Sequence, residues 1–187
     1  MIAIVCVDKN WGIGKDGDML FHISADLRRF RELTIGKSVV MGKNTLLSLP
    51  GAKPLPKRRN IVVSTTLPPR EDCDVVATID EALALAGEDA MLMGGGQLYR
   101  ALIDRCSKVY LTLVDAAIEA DTFFPDLDAN PDWEVAEQSE IMEENGIRFQ
   151  YVDYVPVTKE EDDDFLTMPA PAEEFAPVDG FSPFSGF

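Results

Sequence analysis

The sequence predicts an α/β fold in a single domain, with a mostly parallel central sheet, flanking helices and a C-terminal antiparallel hairpin. Short apolar runs rich in Val, Ile, Leu and Met alternate with helical patterns along most of the chain. Such continuous runs are typical of strands buried on both faces, and their alternation with helices favours parallel pairing. Near the end, Asn145-Gly146 lies between two strand-like segments. An Asn-Gly pair favours a type I′ turn, so these last strands are expected to be antiparallel.

The predicted strands are short and mostly apolar. In chain order they are Ile2–Val7, Ser38–Met41, Ile61–Ser64, Met91–Met93, Val109–Val114, and the hairpin strands Trp133–Ser139 and Ile147–Val155. The first run has no basic segment before it and is too short for a signal peptide or a membrane span. We therefore expect it to be a buried strand.

Three helices have recognisable start signals. Ser24 is a candidate N-cap for a helix that runs through Leu33, because its hydroxyl can accept a backbone N–H. Thr78-Ile79-Asp80-Glu81 has the capping-box pattern, and Gly87 is placed to end that helix. A third helix is expected to start at Gly96, directly after a strand.

Composition divides the chain into a domain, residues 1–157, and a tail, residues 158–187. The tail has eight acidic residues and one basic residue among Pro, Ala and Phe, which predicts disorder. It holds −7 of the net charge of −16, and a charge of this sign argues against nucleic acid or an anionic membrane as a partner. Two roles for the tail stay open, a partner-binding segment and a solubilising appendage. For the domain we expect a monomer.

The cysteines Cys6, Cys73 and Cys106 are odd in number and widely spaced. They predict neither a disulfide framework nor a metal site, and they fit a reducing, cytoplasmic compartment.

One carboxylate is predicted on the apolar face of a helix. At about 100° per residue, Asp26 shares a face with Leu27, Phe30 and Leu33. The opposite face takes Arg28, Arg29, Arg31 and Glu32. Burying an unpaired charge costs several kcal/mol, and apolar surroundings raise a carboxyl pKa toward neutrality, where it can take part in proton delivery. The alternative is that Asp26 only complements the helix dipole.

Glycines follow two of the predicted strands. Gly94-Gly95-Gly96 and Gly42-Lys43 each lie between a strand and a helix, where bare backbone and helix N–H groups can hold phosphate. Neither matches the dinucleotide fingerprint G-x-G-x-x-G, so plain chain reversal stays open for the first. Glycine also recurs at positions 12, 14 and 17, in a segment without periodicity that could be a mobile lid or an ordinary loop.

An ordered set of motifs through about residue 155 resembles dihydrofolate reductase. The set is Asn10–Gly14, Ala25–Phe30, Val40–Thr45, Pro54–Asn60, Met93–Gly96, Tyr110–Thr112 and Asp121–Pro125. The resemblance implies NADPH-dependent reduction of 7,8-dihydrofolate to 5,6,7,8-tetrahydrofolate, with hydride transfer to C6 and protonation at N5. The alternative is a pyrimidine reductase of riboflavin biosynthesis, which shares the fold and the NADPH site. That enzyme is not expected to combine Asp26, Phe30 and Arg58.

The resemblance also implies roles for substrate-binding residues. Asp26 would be the catalytic group and would hold the pteridine ring, with Thr112 hydrogen-bonded behind it. Arg58 would pair with the glutamate α-carboxylate of the substrate, a geometry suited to guanidinium. The full expected set is Ile4, Val5, Asp26, Leu27, Phe30, Leu49, Arg58, Met93, Tyr99 and Thr112.

A second set of residues is expected to bind NADPH by the same resemblance. Lys43 would take the 2′-phosphate, and the peptide bond between Gly94 and Gly95 would be cis. The full set is Cys6, Ile13, Gly14, Met19, Gly42, Lys43, Asn44, Thr45, Ser64, Thr65, Gly94, Gly95, Gly96, Gln97, Leu98 and Tyr99.

Two positions depart from the family pattern beside the catalytic helix. Phe21 stands where the family usually has Trp, so an indole N–H that helps to hold a water is missing. Cys6 replaces a small residue and is expected to act as packing. His22, the only histidine, is expected at the surface rather than in catalysis.

Overall fold

The apolar runs form the strands of one central sheet. The computed structural model describes residues 1–159, and its helices and strands lie within Met1–Val157. The strands are β1 (Ile2–Val7), β2 (Gly12–Lys15), β3 (Asp18–Met19), β4 (Ser38–Gly42), β5 (Arg59–Val63), β6 (Asp74–Val76), β7 (Met91–Gly94), β8 (Lys108–Val114), β9 (Thr122–Phe123), β10 (Trp133–Gln138), β11 (Met142–Glu144) and β12 (Ile147–Pro156). The helices are α1 (Ser24–Thr34), α2 (Lys43–Ser48), α3 (Ile79–Ala86) and α4 (Gly96–Leu102), with short 3₁₀ turns at Pro50–Ala52 and Ile103–Arg105.

The predicted α/β architecture is confirmed. The main sheet has the order β10-β12-β8-β1-β7-β4-β5-β6, and the six strands from β8 to β6 are parallel. At the other edge, β12 is antiparallel to β8, and both β10 and β11 are antiparallel to β12. Asn145 and Gly146 connect β11 to β12 with φ of 51° and 79°, which is the positive-φ pair that a type I′ turn requires.

The inner strands are buried on both faces, which explains why their sequences do not alternate. Val39, Val40 and Met41 are all fully buried in β4, as are Ile61 and Val62 in β5. Side chains of one strand point alternately to opposite faces, so the core divides into clusters on the two sides of the sheet. One holds Val40, Ile61 and Leu92, and the other holds Val39, Met41 and Val62.

The helix-start predictions are partly confirmed. The capping box at Thr78 and Glu81 is present, and Gly87 ends α3 at φ 78°. Helix α1 begins at Ser24 as predicted, but the capping role of Ser24 is wrong, because Ile23 is the N-cap and its side chain makes no capping bond. The carboxylate of Glu144 does this work instead, accepting the N–H groups of Ser24 (2.5 Å) and Ala25 (3.1 Å). A carboxylate offers two charged acceptors at the positive end of the helix, where a serine hydroxyl offers one neutral acceptor.

The glycine-rich segment before α1 contains regular structure that the sequence did not predict. Its strands β2 and β3 pair with each other, and β2 also pairs with β9, forming a separate three-stranded sheet. The buried carboxylate of Asp8 accepts the N–H groups of Asn10, Gly12 and Ile118 at 2.8–3.1 Å. The Asp121 carboxylate accepts the N–H of Asp16 at 2.8 Å. The segment is therefore tied down at several points, and its role as a lid stays a prediction.

Two further sequence predictions concern the C-terminal tail and membrane-spanning segments. The tail prediction lies, from residue 160 onward, outside the described residues. Within residues 1–159, no helix is long and apolar enough to cross a membrane.

Candidate active site

A crevice opens between β1 and β7 at the carboxyl edge of the sheet. These strands pair only at Ile2 with Met91 and at Ala3 with Leu92, whereas β1 pairs with β8 along its whole length. Beyond Ala3 the strands separate, and the Tyr99 hydroxyl of α4 reaches across to donate to the Ile4 carbonyl at 2.7 Å. In open α/β sheets, ligands bind in crevices of this kind at the carboxyl ends of strands.

Asp26 lies beside this crevice, in the first turn of α1. The Thr112 hydroxyl, on the neighbouring strand β8, donates to Asp26 Oδ1 at 2.5 Å. Burial raises the pKa of Asp26, while the Thr112 hydrogen bond and the charge of Arg29 lower it. A half-buried carboxyl whose pKa is raised by burial is the arrangement that proton delivery near neutral pH requires.

Three apolar residues predicted to line the substrate site are at least partly exposed. Leu27 is 46% exposed, and Phe30 and Leu49 are half-buried. Exposed apolar groups beside a half-buried carboxyl are the lining expected for a flat, largely apolar ligand with one polar edge.

The prediction that Arg29 lies on the solvent face is wrong. Its side chain is 21% exposed, with its guanidinium carbon 3.9 Å from the centre of the Tyr151 ring and Nη2 3.4 Å from Asp153 Oδ1. The helix borders strand β12 on this side, so the aliphatic stem of Arg29 is covered while its charged end finds an anion and an aromatic face.

Arg58 keeps an uncompensated positive charge near the C-terminal end of α1. Its Nε donates to the Pro56 carbonyl at 2.9 Å and Nη1 donates to the Thr34 hydroxyl at 3.2 Å. Burial, together with the nearby charge of Arg31, lowers the pKa of Arg58. Among residues 1–159 no carboxylate forms an ion pair with it, and only these neutral contacts orient the guanidinium.

The two glycine junctions lie side by side, because β4 and β7 are neighbours in the sheet. A Cβ built on Gly42 would lie 3.9 Å from the backbone nitrogen of Gly95, and one on Gly95 would lie 3.4 Å from Thr45 Oγ1. Neither α2 nor α4 has a side-chain N-cap, so the backbone N–H groups at both junctions can donate hydrogen bonds to a ligand. The predicted cis peptide between Gly94 and Gly95 is present.

Lys43 and a run of hydroxyls after β5 form the outer part of this region. Lys43 Nζ donates to Thr66 Oγ1 at 2.9 Å, and Ser64 Oγ accepts the Thr66 N–H at 3.2 Å. Ser64 and Thr65 were predicted to contact the cofactor, whereas Thr66 was not. The run of three hydroxyl residues, Ser64-Thr65-Thr66, is the sequence feature that could have pointed to it. Ammonium, hydroxyl and backbone N–H donors are the set that phosphate groups require.

The other predicted site residues lie on several strands and helices of the domain. Cys6 is half-buried on β1, directly opposite Thr112 in the strand register, and burial raises the pKa of its thiol. Gly14 has a packing reason to be glycine, because a Cβ there would lie 2.9 Å from the Asp18 carbonyl oxygen. Val5 and Cys6 lie on β1, Ile13 and Gly14 on β2, Met19 on β3, Asn44 and Thr45 on α2, Met93 and Gly94 on β7, and Gly96, Gln97, Leu98 and Tyr99 on α4.

Phe21 and His22, which directly precede Ile23 and α1, differ in their environment. Phe21 is partly buried and packs beside Ile23, Val114 and Phe149. His22 is exposed, as predicted, and lies 3.7 Å from the Asp18 carboxylate.

Together, these features define an oxidoreductase-type site that fits NADPH: a phosphate-binding junction of bare backbone next to a crevice with one half-buried carboxyl. The dihydrofolate reductase family model matches residues 1–156. The chain is 37% identical to dihydrofolate reductase of Neisseria gonorrhoeae over 161 residues, 82% of this chain and 96% of the relative. It is 47% identical to dihydrofolate reductase type 3 of Salmonella typhimurium over 119 residues, 61% of this chain and 71% of the relative.

A solved structure agrees with these sequence matches. Dihydrofolate reductase from Enterococcus faecalis, complexed with NADP(H) and RAB-propyl, superimposes with a TM-score of 0.72 at 31% identity, covering 83% of this chain and 95% of that chain. The chain belongs to the dihydrofolate reductase family. The predictions of an NADPH-dependent oxidoreductase and of dihydrofolate reduction, in preference to the pyrimidine reductase alternative, are thereby confirmed.

Proposed function

We propose that Asp26 is the carboxyl group that supports protonation at N5 when this chain reduces 7,8-dihydrofolate to 5,6,7,8-tetrahydrofolate. The observation that carries the proposal is the half-buried Asp26, hydrogen-bonded to Thr112 beside the crevice between β1 and β7. Bound NADPH supplies the hydride to C6. The protein must hold the pterin in one orientation, exclude water and support delivery of a proton to N5, the ring nitrogen bonded to C6.

Asp26 suits the last of these tasks because of its surroundings. Burial raises its pKa, so the carboxyl keeps its proton to higher pH than an exposed aspartate would. The Thr112 hydroxyl fixes the orientation of the carboxyl, leaving the second oxygen to face the ligand. The Ile4 and Met93 backbones, at the open ends of β1 and β7, are the proposed partners of the opposite pterin edge.

Arg58 is the proposed partner of the substrate's glutamate α-carboxylate. Its guanidinium is held by Pro56 and Thr34, so less side-chain freedom is lost when a carboxylate binds. Val5, Leu27, Phe30, Leu49 and Tyr99 are the proposed apolar lining between the two ends.

The proposed cofactor contacts follow from the two glycine junctions. Gly42, Gly95 and Gly96 would let the pyrophosphate approach the backbone, and Lys43 would meet the 2′-phosphate with the hydroxyls of Ser64 and Thr66 nearby. The remaining proposed contacts are Cys6, Ile13, Gly14, Met19, Asn44, Thr45, Thr65, Gly94, Gln97, Leu98 and Tyr99.

The substrate assignment is tested by assaying the two candidate reductions separately. The purified chain is given NADPH with dihydrofolate or with the diaminouracil substrate of the riboflavin pathway, and NADPH absorbance and product identity are followed. We expect turnover and tetrahydrofolate with dihydrofolate only. Comparable turnover of the pyrimidine would contradict the proposal.

We also propose that residues 1–157 are a self-sufficient catalytic domain that acts as a cytoplasmic monomer without a nucleic-acid partner. The family match ends at residue 156, which supports this boundary. Cys6, Cys73 and Cys106 are all free thiols, which supports a reducing compartment. The excess of acidic residues supports the absence of a nucleic-acid partner.

A further inference from the structure

Helix α1 lies against two rows of side chains on the central sheet. In the first row, Cys6, Thr112 and Tyr151 are register partners across β1, β8 and β12. In the second row, Ile4, Tyr110 and Asp153 are register partners on the same strands. Residues of one strand that are two apart point to the same face, so both rows face the same side of the sheet.

Two residues of α1, one turn apart, attach to these rows. Asp26 accepts the Thr112 hydroxyl in the first row. Arg29 stacks on the Tyr151 ring of the first row, and its Nη2 lies 3.4 Å from Asp153 in the second. Residues at i and i+3 are neighbours on a helix surface, so the carboxyl of Asp26 and the guanidinium of Arg29 face the same strip of sheet.

The Arg29 guanidinium has little freedom to move away from this strip. Asp153 is only 7% exposed, and it is also held by Lys108 Nζ at 2.9 Å. Lys108 in turn lies 4.5 Å from the centre of the Tyr110 ring, and Arg29 lies 5.3 Å from the same ring. The cluster thus contains two cations, Arg29 and Lys108, and the anion Asp153, with Glu137 of β10 beside Asp153 in the strand register. These contacts hold the charge of Arg29 in place one helical turn from Asp26.

We propose that Arg29 is a positioning residue for the reaction: clamped by Asp153 and Tyr151, it fixes a positive charge one helical turn from Asp26 and so limits how tightly that carboxyl holds its proton. The proposal rests on the proposed function of Asp26. Burial, which raises the pKa of Asp26, is the larger influence, and the charge of Arg29 opposes it. Arg29 thereby keeps the carboxyl able to release a proton as well as to hold one.

Other groups around Asp26 come from every neighbouring element. Thr112 on β8 donates a hydrogen bond, while Cys6 on β1 and Tyr151 on β12 face the carboxyl as neutral groups whose own pKa values are raised, chiefly by burial. On β11, Glu144 binds the first N–H groups of α1. The acidic side chains of this region are Asp26, Glu144, Asp153 and, on β10, Glu137, and Arg29 is the cation whose charge acts on Asp26.

The test is the titration of the Asp26 carboxyl in the full-length protein, followed by carbon NMR in the native chain and in four variants. Arg29→Gln removes the charge. Arg28→Gln is the matched control, because Arg28 belongs to the same helix and is exposed. Arg29→Lys keeps the charge without the planar fork, and Asp153→Asn removes the anion that offsets Arg29. Thermal unfolding confirms that each variant is folded.

The expected shifts have opposite signs. Arg29→Gln should move the Asp26 titration to higher pH and raise single-turnover reduction at alkaline pH by about threefold or more, since charges on neighbouring positions of a helix face interact at an intermediate dielectric constant. Asp153→Asn should move the titration to lower pH. Arg29→Lys should fall between Arg29→Gln and the native chain, and Arg28→Gln should match the native chain.

Equal titrations in Arg29→Gln and Arg28→Gln would overturn the proposal, as would shifts of the same sign in Arg29→Gln and Asp153→Asn. Failure of the proposed function has a different signature. In that case Asp26→Asn would turn over like the native chain, while the NMR titrations would still report the influence of Arg29 on the proton.

Discussion

At the scale of single residues, Asp26 carries a conflict between stability and function. Its pKa is raised by burial, so the native state binds this proton more tightly than the unfolded chain does. The unfolded carboxyl titrates near pH ~3.9, and the folded carboxyl titrates above that value. As pH rises from about 3.9 through the folded pKa, the free energy of unfolding therefore falls, and the enzyme carries this cost at neutral pH.

A neutral isostere should remove that cost. We expect Asp26→Asn to raise the free energy of unfolding by about 1 kcal/mol at pH 8, and by less at the lower pH of 4, where more of the native Asp26 carboxyl is protonated. Urea denaturation at the two pH values measures the difference.

Asp80 provides a matched control for this prediction. It is an exposed acidic residue in the first turn of α3, so Asp80→Asn should lose a small dipole interaction and leave the protein slightly less stable. If Asp26→Asn were destabilising at pH 8 in the same way, Asp26 would be acting mainly on the helix dipole.

Residue-scale features divide into those that local sequence predicts and those that it does not. Asp26 was visible because one carboxylate interrupts an apolar helical face. Arg29 was assigned to the wrong face because helical periodicity assigns polar residues to the face opposite the apolar one. It takes no account of a cation that stacks on Tyr151 and lies beside Asp153. Those two partners are more than a hundred positions away in the chain.

At the scale of elements, the N-terminus of α1, the helix that carries Asp26, is capped by a residue of another element. Glu144, on the hairpin strand β11, accepts the N–H groups of Ser24 and Ala25. The hairpin and the helix that carries Asp26 are thus directly coupled. Ser24 was the predicted N-cap because the N-cap rule considers only residues next to the helix. The capping carboxylate of Glu144 is 120 positions away in the chain.

Replacing this remote cap should weaken the start of α1. We expect Glu144→Gln to lower the free energy of unfolding by about 1 kcal/mol, since it loses the charge that faces the positive end of the helix. Glu143→Gln is the control, because Glu143 is exposed on the same hairpin and should change stability by less than about 0.5 kcal/mol. Chemical denaturation of both variants measures the contrast, and equal losses would show that Glu144 is not the cap.

Element-level prediction was accurate where a signal was local. The buried strands, the Asn145-Gly146 turn and the Thr78 capping box each follow from a few adjacent residues. The three-stranded sheet of β2, β3 and β9 was not predicted, because its strands are two to four residues long and are held by the distant residues Asp8 and Asp121.

At the scale of the whole molecule, one gap in the sheet organises the site. Strands β1 and β7 diverge after two paired residues, and the catalytic helix and the two glycine junctions lie at that carboxyl edge. The strand order that places β1 between β7 and β8 could not be read from the sequence without the family resemblance, since periodicity identifies strands but not their neighbours.

The proposed domain boundary predicts that the tail is dispensable for catalysis. A chain that ends at Val157 should keep the thermal midpoint and turnover number of the full-length protein, because all the helices and strands of the described part of the chain lie before that residue. Thermal unfolding and steady-state assays of the two proteins test this. A clear loss of stability or turnover would place essential contacts beyond residue 157, and loss of a pull-down partner with unchanged turnover would favour the partner-binding role of the tail.

The most direct test of the central claim is NADPH oxidation with dihydrofolate by the native chain and by Asp26→Asn, measured in single turnovers at pH 7. A positioned acid contributes roughly 10²- to 10⁴-fold to such steps, so the variant should be slower by about a hundredfold or more while NADPH binding is unchanged. If Asp26→Asn reduced dihydrofolate within about threefold of the native rate, Asp26 would not support the proton transfer, since a positioned acid is worth far more than that.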